Sequence, residues 1–319
     1  MEQRKPTTKA GGIDVSKLKL DVAVIGVEEA PTVSNDLAGF EQIGAWLASH
    51  GVRRVGLEAS GKYEQPVRLY LESLGLEVVM HIPHEVRMFA RLKRRRAKND
   101  KLDARIIAEA TTFVDRVRCA SDPLLVELAE RMTAYEQAGD RLSQLKCQLE
   151  QITLEDLRVE QKAEIARAKA RKDRLGEAVL TQLKSREDLA RNLELVTSIC
   201  GFGEIVAASL LIRMPELGKL AHGQAASLLG AAPFDFDSGA FRGQRHIWGG
   251  RARPRRMVYL AALVAKRHDP AMKAFAQRLG DKGKKPKVIV VAIMRKLIEA
   301  ANLVLKRGAP WTPPNPASA

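Results

Sequence analysis

Cysteine, aromatic residues, long apolar runs and acidic residues are all scarce in this chain. Three cysteines in 319 residues, Cys119, Cys147 and Cys200, are too few and too scattered for a disulfide framework or a zinc site. The longest apolar runs, IVAASLLI (205–212) and VIVVAIM (288–294), fall well short of the ~18 residues a membrane-spanning helix needs. The start, MEQRKPTTKAGG, lacks the apolar stretch of a signal peptide. Acids number 38 against 53 lysines and arginines, leaving a net charge of +15. These deficits exclude secreted, disulfide-stapled and membrane classes. They predict a cytoplasmic, nucleoid-associated protein with a polyanionic partner, of which nucleic acid is the commonest. Apolar residues still make up 45%, enough for ordinary cores.

The pattern divides the chain. Residues 11–27 read as two strands joined at SKLK, followed by a helix over 36–51 with Asn35 or Asp36 as cap and Gly51 as stop. A strand (52–60), a helix (65–75) and a strand (76–82) come next, then helical segments over 84–100 and 101–113. Strands alternating with helices predict one three-layer α/β domain over 1–118. Over 119–194, apolar positions fall mostly three or four apart among dense charges of both signs, which predicts a long helical hairpin or coiled coil for dimerisation, with Gly139 and Gly176 as weak points. A mainly α-helical third unit is expected over 195–308, opening with a Gly201-Phe202-Gly203 turn of helix-hairpin-helix type whose amides suit a phosphate. From 239 to the end there are 18 lysines and arginines but 3 acids. The proline-rich tail 309–319 reads as disordered.

Four acids in the first domain point to chemistry. Asp14 interrupts the apolar strand GIDV, where a carboxylate is costly unless something positive meets it. Glu58 ends the strand VGLE, and Asp100 and Asp103 share one face at a helix start. Carboxylates converging at strand ends make an oxygen-rich site for hard ions, and two Mg²⁺ would clamp the oxygens of a phosphodiester displacement. The bland alternatives are helix-terminal acids meeting the macrodipole and a surface glutamate. The run RLKRRRAK, with Arg94, Arg95, Arg96 and Lys98, leads straight into Asp100 and suits a phosphodiester substrate. The second candidate is Ser238, whose Ser-Gly pair is ordinary turn chemistry by itself. Arg242, Arg245, Arg251, Arg253, Arg255 and Arg256 all follow within eighteen residues, and guanidinium groups hold and neutralise phosphate. His246 is a weaker candidate for its base.

GIDVSK (12–17), LEASGKY (57–63) and KRRRAKNDKLDARIIA (93–108) together resemble the RuvC-like DEDD domain of insertion-sequence transposases. GAAPFDFDSGAFRGQRHIWGGRARPRRMVYLAALVA (230–265) resembles their C-terminal transposase domain. With the blocks in this order around a coiled coil, the chain resembles the insertion sequence 110 family of bridge-RNA-guided recombinases over nearly all of residues 11–308. The resemblance implies an RNase H-like fold for the first domain, and Asp14, Glu58, Asp100 and Asp103 as the Mg²⁺-binding tetrad. It implies Ser238 as a nucleophile forming a covalent phosphoserine, and Arg94, Arg95, Arg96, Lys98, Arg242, Arg245, Arg251 and Arg255 as nucleic-acid contacts. It further implies donor and target double-stranded DNA, a structured guide (bridge) RNA, and a homodimer assembling to a homotetramer with active sites shared between subunits. Ala276, in FAQRL, departs from the aromatic expected there. Two rival readings are a Holliday-junction resolvase-like nuclease, which needs no serine, and a non-catalytic nucleic-acid-binding coiled-coil protein.

Overall fold

The computed structural model describes residues 9–93, 100–114, 122–234, 237–238, 241–243 and 246–312, with the backbone alone at Asp100, Lys101, Leu102, Phe234, Asp237, Ser238, Phe241 and Arg242. Arg94, Arg95, Arg96, Lys98 and Arg245 lie outside the described residues, as does 313–319 of the tail. Two compact units divide at Pro123 and Leu124. No helix among the described residues is long and apolar enough to cross a membrane.

In the first unit, β1 (Ala10–Val15), β2 (Lys19–Val24), β3 (Thr32–Ser34), β4 (Arg54–Glu58) and β5 (Glu77–His81) form one sheet in the order β3-β2-β1-β4-β5. β1 pairs antiparallel with β2 and parallel with β4, so the buried GGIDV strand lies at the centre. β3, which the sequence reading does not anticipate, is a three-residue edge strand directly after Pro31. Its shortness hides the alternation that marks the others.

Three layers follow from which side of the sheet each residue serves. Helix α1 (Leu37–Ser49) is capped by Asp36, whose carboxylate accepts from the Gly39 N–H at 3.0 Å. That bond and one from Ser34 hold the Asp36 carboxyl below its usual range. A Cβ on Gly11 would meet Leu47 of α1. Gly12, on the opposite side, faces α4 (Asp100–Thr111) so closely that a Cβ would enter the carbonyl of Ala104 and the amide of Ala108. The outer helices α2 (Gln65–Ser73) and α3 (Pro83–Leu92) pack on α1 and α4 respectively. Gly12→Ala therefore forces α4 off the sheet. The expected cost is about 3 kcal/mol or more, read as loss of cooperative thermal unfolding in the first unit. An unchanged unfolding curve would show that α4 is not seated there.

The second unit opens with the expected hairpin, α5 (Pro123–Gln151) and α6 (Glu155–Lys184). The two run antiparallel: Arg141 pairs with Glu164 at 2.8 Å, and Gln161 donates to the Leu145 carbonyl at 2.9 Å. Gly139 and Gly176 interrupt neither helix, and Gly176 lies against the Tyr135 ring of α5. The hairpin base does not stand apart from the following helices, as a boundary at 194 would have it. Leu128, Met132, Val179 and Leu183 are buried in one core with α7 (Glu187–Thr197), α8 (Glu204–Arg213), α9 (Gln224–Leu229), α10 (Ala252–His268), α11 (Pro270–Asp281) and α12 (Pro286–Arg307). Periodicity marks a helix but not what covers its ends. At the tail, Trp311 packs against this core, and its N–H donates to the Ser198 hydroxyl at 2.8 Å, so order extends past 309.

Candidate functional site

The C-terminal ends of β1 and β4 bring two of the sequence-predicted acids, Asp14 and Glu58, side by side. Ile13 pairs with Leu57, so Asp14 and Glu58 are the next neighbours on two parallel strands, which lie ~4.8 Å apart. Asp14 lies on the face of Gly12, and Glu58 on the face of Gly56, because side chains alternate along a strand. Both glycines face α4, a Cβ on Gly56 meeting Thr111 and Ile107.

Helix α4 runs opposite to these strands. Its Ala104 and Ala108 touch Gly12, Thr111 reaches Gly56, and Arg54 at the start of β4 donates to the Val114 carbonyl at 2.8 Å. The first turn of α4 is therefore directed to the strand ends that carry Asp14 and Glu58. Four helical residues from Ala104 back to Asp100 span ~6 Å, close to the ~6.6 Å from Gly12 to Asp14 along the strand. Asp103 also continues the sheet-facing stripe of 104, 107, 108 and 111, at i, i+3 and i+4 spacing. Asp14, Glu58 and Asp103 are half-buried, and each takes part in an electrostatic or hydrogen-bonded contact. Among the described residues, no group of three or more His, Cys, Asp or Glu is arranged to hold a metal ion. Unneutralised carboxylates repel one another, and the Asp100 side chain is not among those described.

Sequence reasoning missed two residues at this end. Asp21 is the register partner of Asp14, is 4% exposed, takes a hydrogen bond from the Thr32 hydroxyl and pairs with Lys19 at 3.3 Å. Its signal was present, since KLDVAV breaks an apolar strand as GIDV does. His81 is the register partner of Glu58 on β5, is buried and bonds Thr111 Oγ1 at 2.9 Å. Burial pushes the His81 pKa down, against an opposing pull from Glu85.

In the second unit, Ser238 sits on a β finger. Strand β6 (Pro233–Phe234) pairs with β9 (His246–Ile247), and β7 (Asp237–Ser238) pairs with β8 (Phe241–Arg242), all antiparallel. Ser238 pairs with Phe241 across residues 239 and 240, so it stands at the inner hairpin's turn. His246 is exposed on β9. The finger's base is tight because Gly230 and Gly250 touch backbone to backbone, both at positive φ where glycine is favoured.

Two of the arginines expected to contact nucleic acid clamp this base instead. Arg251 donates to both Glu216 oxygens, at 2.8 and 2.6 Å, and to the Arg213 carbonyl. Arg255 donates to the Gly249 carbonyl at 2.6 Å. Arg253 and Arg256 pair with Glu136 and Asp140 of the hairpin, and Asp140 raises the Arg256 pKa. Arg213 also bonds Glu136, which offsets the downward push of burial on its pKa. Arg251 has both terminal nitrogens engaged in these bonds, whereas Arg255 uses only Nη1. Lys282, Lys284, Lys285 and Lys287, by contrast, are exposed at the α11–α12 turn and form no ion pair among the described residues. At the Gly201-Phe202-Gly203 turn, Gly201 packs on Ala261 and Ala265 of α10, and Glu204 in the first turn of α8 pairs with Lys184.

Comparison with known proteins decides the family. Residues 11–157 match a DEDD transposase family, and residues 193–277 match the family described as "Transposase IS116/IS110/IS902 family". The chain belongs to the IS116/IS110/IS902 transposase family. Relatives of this transposase include the "Pilin gene-inverting protein" of Moraxella bovis and that of Moraxella lacunata. Each is 24% identical over 94% of this chain and 96% of its own length. The DEDD match contains β1, β4 and α4, and the second match contains the finger. The first match also runs through α5 and the hairpin's turn into the start of α6, and residues 158–192, most of α6 and the start of α7, lie between the two matches.

The clamp makes the finger's position testable. Replacing Glu216 by Gln removes the bidentate pair and leaves half-buried Arg251 under-satisfied, at a cost of about 1–3 kcal/mol. The transposase should stay folded but lose at least about tenfold in strand cutting, because small misplacements of a reacting group are expensive. Full activity in Glu216→Gln would assign the clamp to stability alone.

Proposed function

We propose that this transposase cuts and rejoins strands of donor and target double-stranded DNA with two sets of residues. Asp14, Glu58, Asp100 and Asp103 form a Mg²⁺-holding tetrad on an RNase H-like, RuvC-like sheet, and Ser238 is the nucleophile. A structured bridge RNA selects the DNA, and the protein works as a homodimer assembling to a homotetramer. The observation that carries this reading is the meeting of the β1 and β4 strand ends with the first turn of α4. The sheet order, with β1 central and flanked by an antiparallel and a parallel neighbour, supports the RNase H-like assignment. The carboxylate oxygens suit a hard divalent ion. Such an ion would supply charge neutralisation at the phosphate and lower the barrier to attack on phosphorus.

The serine step conserves bonds. Ser238 Oγ forms a bond to phosphorus, the bond from phosphorus to one deoxyribose oxygen breaks, and the serine proton passes to that departing oxygen, which leaves as a hydroxyl. Attack by another strand's hydroxyl on the phosphoserine reverses this and frees the serine. One phosphodiester is exchanged for another, so no external energy source is needed. The gene-inverting name of the Moraxella relatives describes a rearrangement whose ends are rejoined, consistent with such an exchange. The unpaired lysines near the α11–α12 turn supply charge for a nucleic-acid backbone. The bridge RNA and the tetramer rest on the family resemblance. A resolvase-like nuclease would use the same acids without the serine. The experiment is therefore strand cutting by Ser238→Ala protein that still binds DNA. Loss of cutting supports the proposed function, and retained cutting supports the resolvase reading.

A further inference from the structure

Lys62 is the one residue other than glycine with positive φ among the described residues, at 92°, directly after Gly61 at 74°. Glycine adopts this region without penalty and lysine does not. The surrounding loop holds it there. One carboxylate oxygen of Glu64 accepts from the Ser60 N–H, the Ser60 hydroxyl and the Lys62 N–H, each at 3.0 Å. From the other side, the Asn35 amide donates to the Tyr63 carbonyl at 3.1 Å and to the Ser16 carbonyl at 2.8 Å. The loop is thus fastened to the β1–β2 turn two residues after Asp14, and it begins at the end of β4, just past Glu58.

Nothing in that fastening uses the lysine side chain, which is exposed and forms no ion pair among the described residues. A purely structural role would be filled better by glycine. Strain retained where a cluster of carboxylates gathers points to a task at that cluster. Several carboxylates repel a DNA backbone, and a fixed cation at their rim counters that repulsion. We propose that Lys62 is a positioning residue that holds a backbone phosphate of the DNA strand entering the acid end. This rests on the reading of that end as the cutting site.

The test uses full-length protein, thermal unfolding, and binding of a fluorescein-labelled duplex carrying one end of the element across a salt series. Lys62→Gly should unfold at a higher temperature than wild type, and its log–log salt slope should shrink by about 0.9, the value of one phosphate contact. Lys62→Arg should keep the wild-type slope, and Lys169→Met, an exposed hairpin change, should move neither quantity. A Lys62→Gly protein with the wild-type slope, or with no gain in unfolding temperature, overturns the proposal. Metal-dependent cutting that survives Asp14→Ala would count against the acid-end reading, while leaving the Lys62 slope to stand or fall separately.

Discussion

Alanine at Asp14 is expected to reduce strand cutting by at least about a thousandfold while leaving the protein as stable as wild type or slightly more so. The two halves of this expectation have different causes. A carboxylate that holds a catalytic ion contributes several kcal/mol to transition-state stabilisation, and each 1.36 kcal/mol is a factor of ten in rate. The same carboxylate sits beside Asp21 on β2 and Glu58 on β4, so removing it relieves like-charge repulsion in the resting fold. Glu58→Ala, Asp100→Ala and Asp103→Ala should behave alike. Asp21→Ala should instead lower stability, because Asp21 is 4% exposed, accepts from the Thr32 hydroxyl and pairs with Lys19. Its loss should lower stability by about 0.5–1.5 kcal/mol through the part-buried Thr32 contact. Cutting assays paired with thermal unfolding separate the two patterns. An Asp14→Ala protein that is inactive because it no longer folds would assign Asp14 to structure.

Mixing two inactive proteins should restore activity. Asp14→Ala removes an acid from the first unit and Ser238→Ala removes the proposed nucleophile from the second. A serine hydroxyl is a weak nucleophile near neutral pH and needs help. His246, the histidine of the finger, is an exposed strand residue at the outer pair, with Ser238 on the inner one. The help is expected from the carboxylate site, and the hairpin can carry it between subunits, because ~30 helical residues extend ~45 Å. If subunits share sites, an Asp14→Ala subunit supplies serine to intact acids of its neighbour. Recovered DNA-linked phosphoserine in the mixture supports that arrangement. Mixed oligomers that stay inactive would place both halves of a site within one chain.

Much of the first unit was legible because its elements obey simple periods. GIDV and VGLE alternate or run apolar as central strands do, and α1 carries its cap at Asp36 and its glycine stop at Gly51. The four acids stood out because carboxylates in apolar strands demand a reason. What lays α4 along the strands of Asp14 and Glu58 was less visible: two glycines, Gly12 and Gly56, that let the helix lie on the sheet, and a helix direction that no local pattern encodes. The finger was hidden for another reason. Its strands are two residues long, too short for alternation to register. Arginine counts did not reveal the internal partners of Arg251 and Arg255, Glu216 and the Gly249 carbonyl, which are defined by folding and not by charge density. Lys62 was invisible because a positive φ leaves no mark in a lysine.

The account turns on whether DNA becomes covalently joined to Ser238. Wild-type protein is incubated with labelled element-end DNA and a divalent ion, stopped with denaturant, and digested with nuclease and protease. Mass spectrometry then locates the residue carrying the nucleotide. The account predicts one adduct, on Ser238, absent from the Asp14→Ala protein. Strand cutting with no adduct, or an adduct on a different residue, would contradict it.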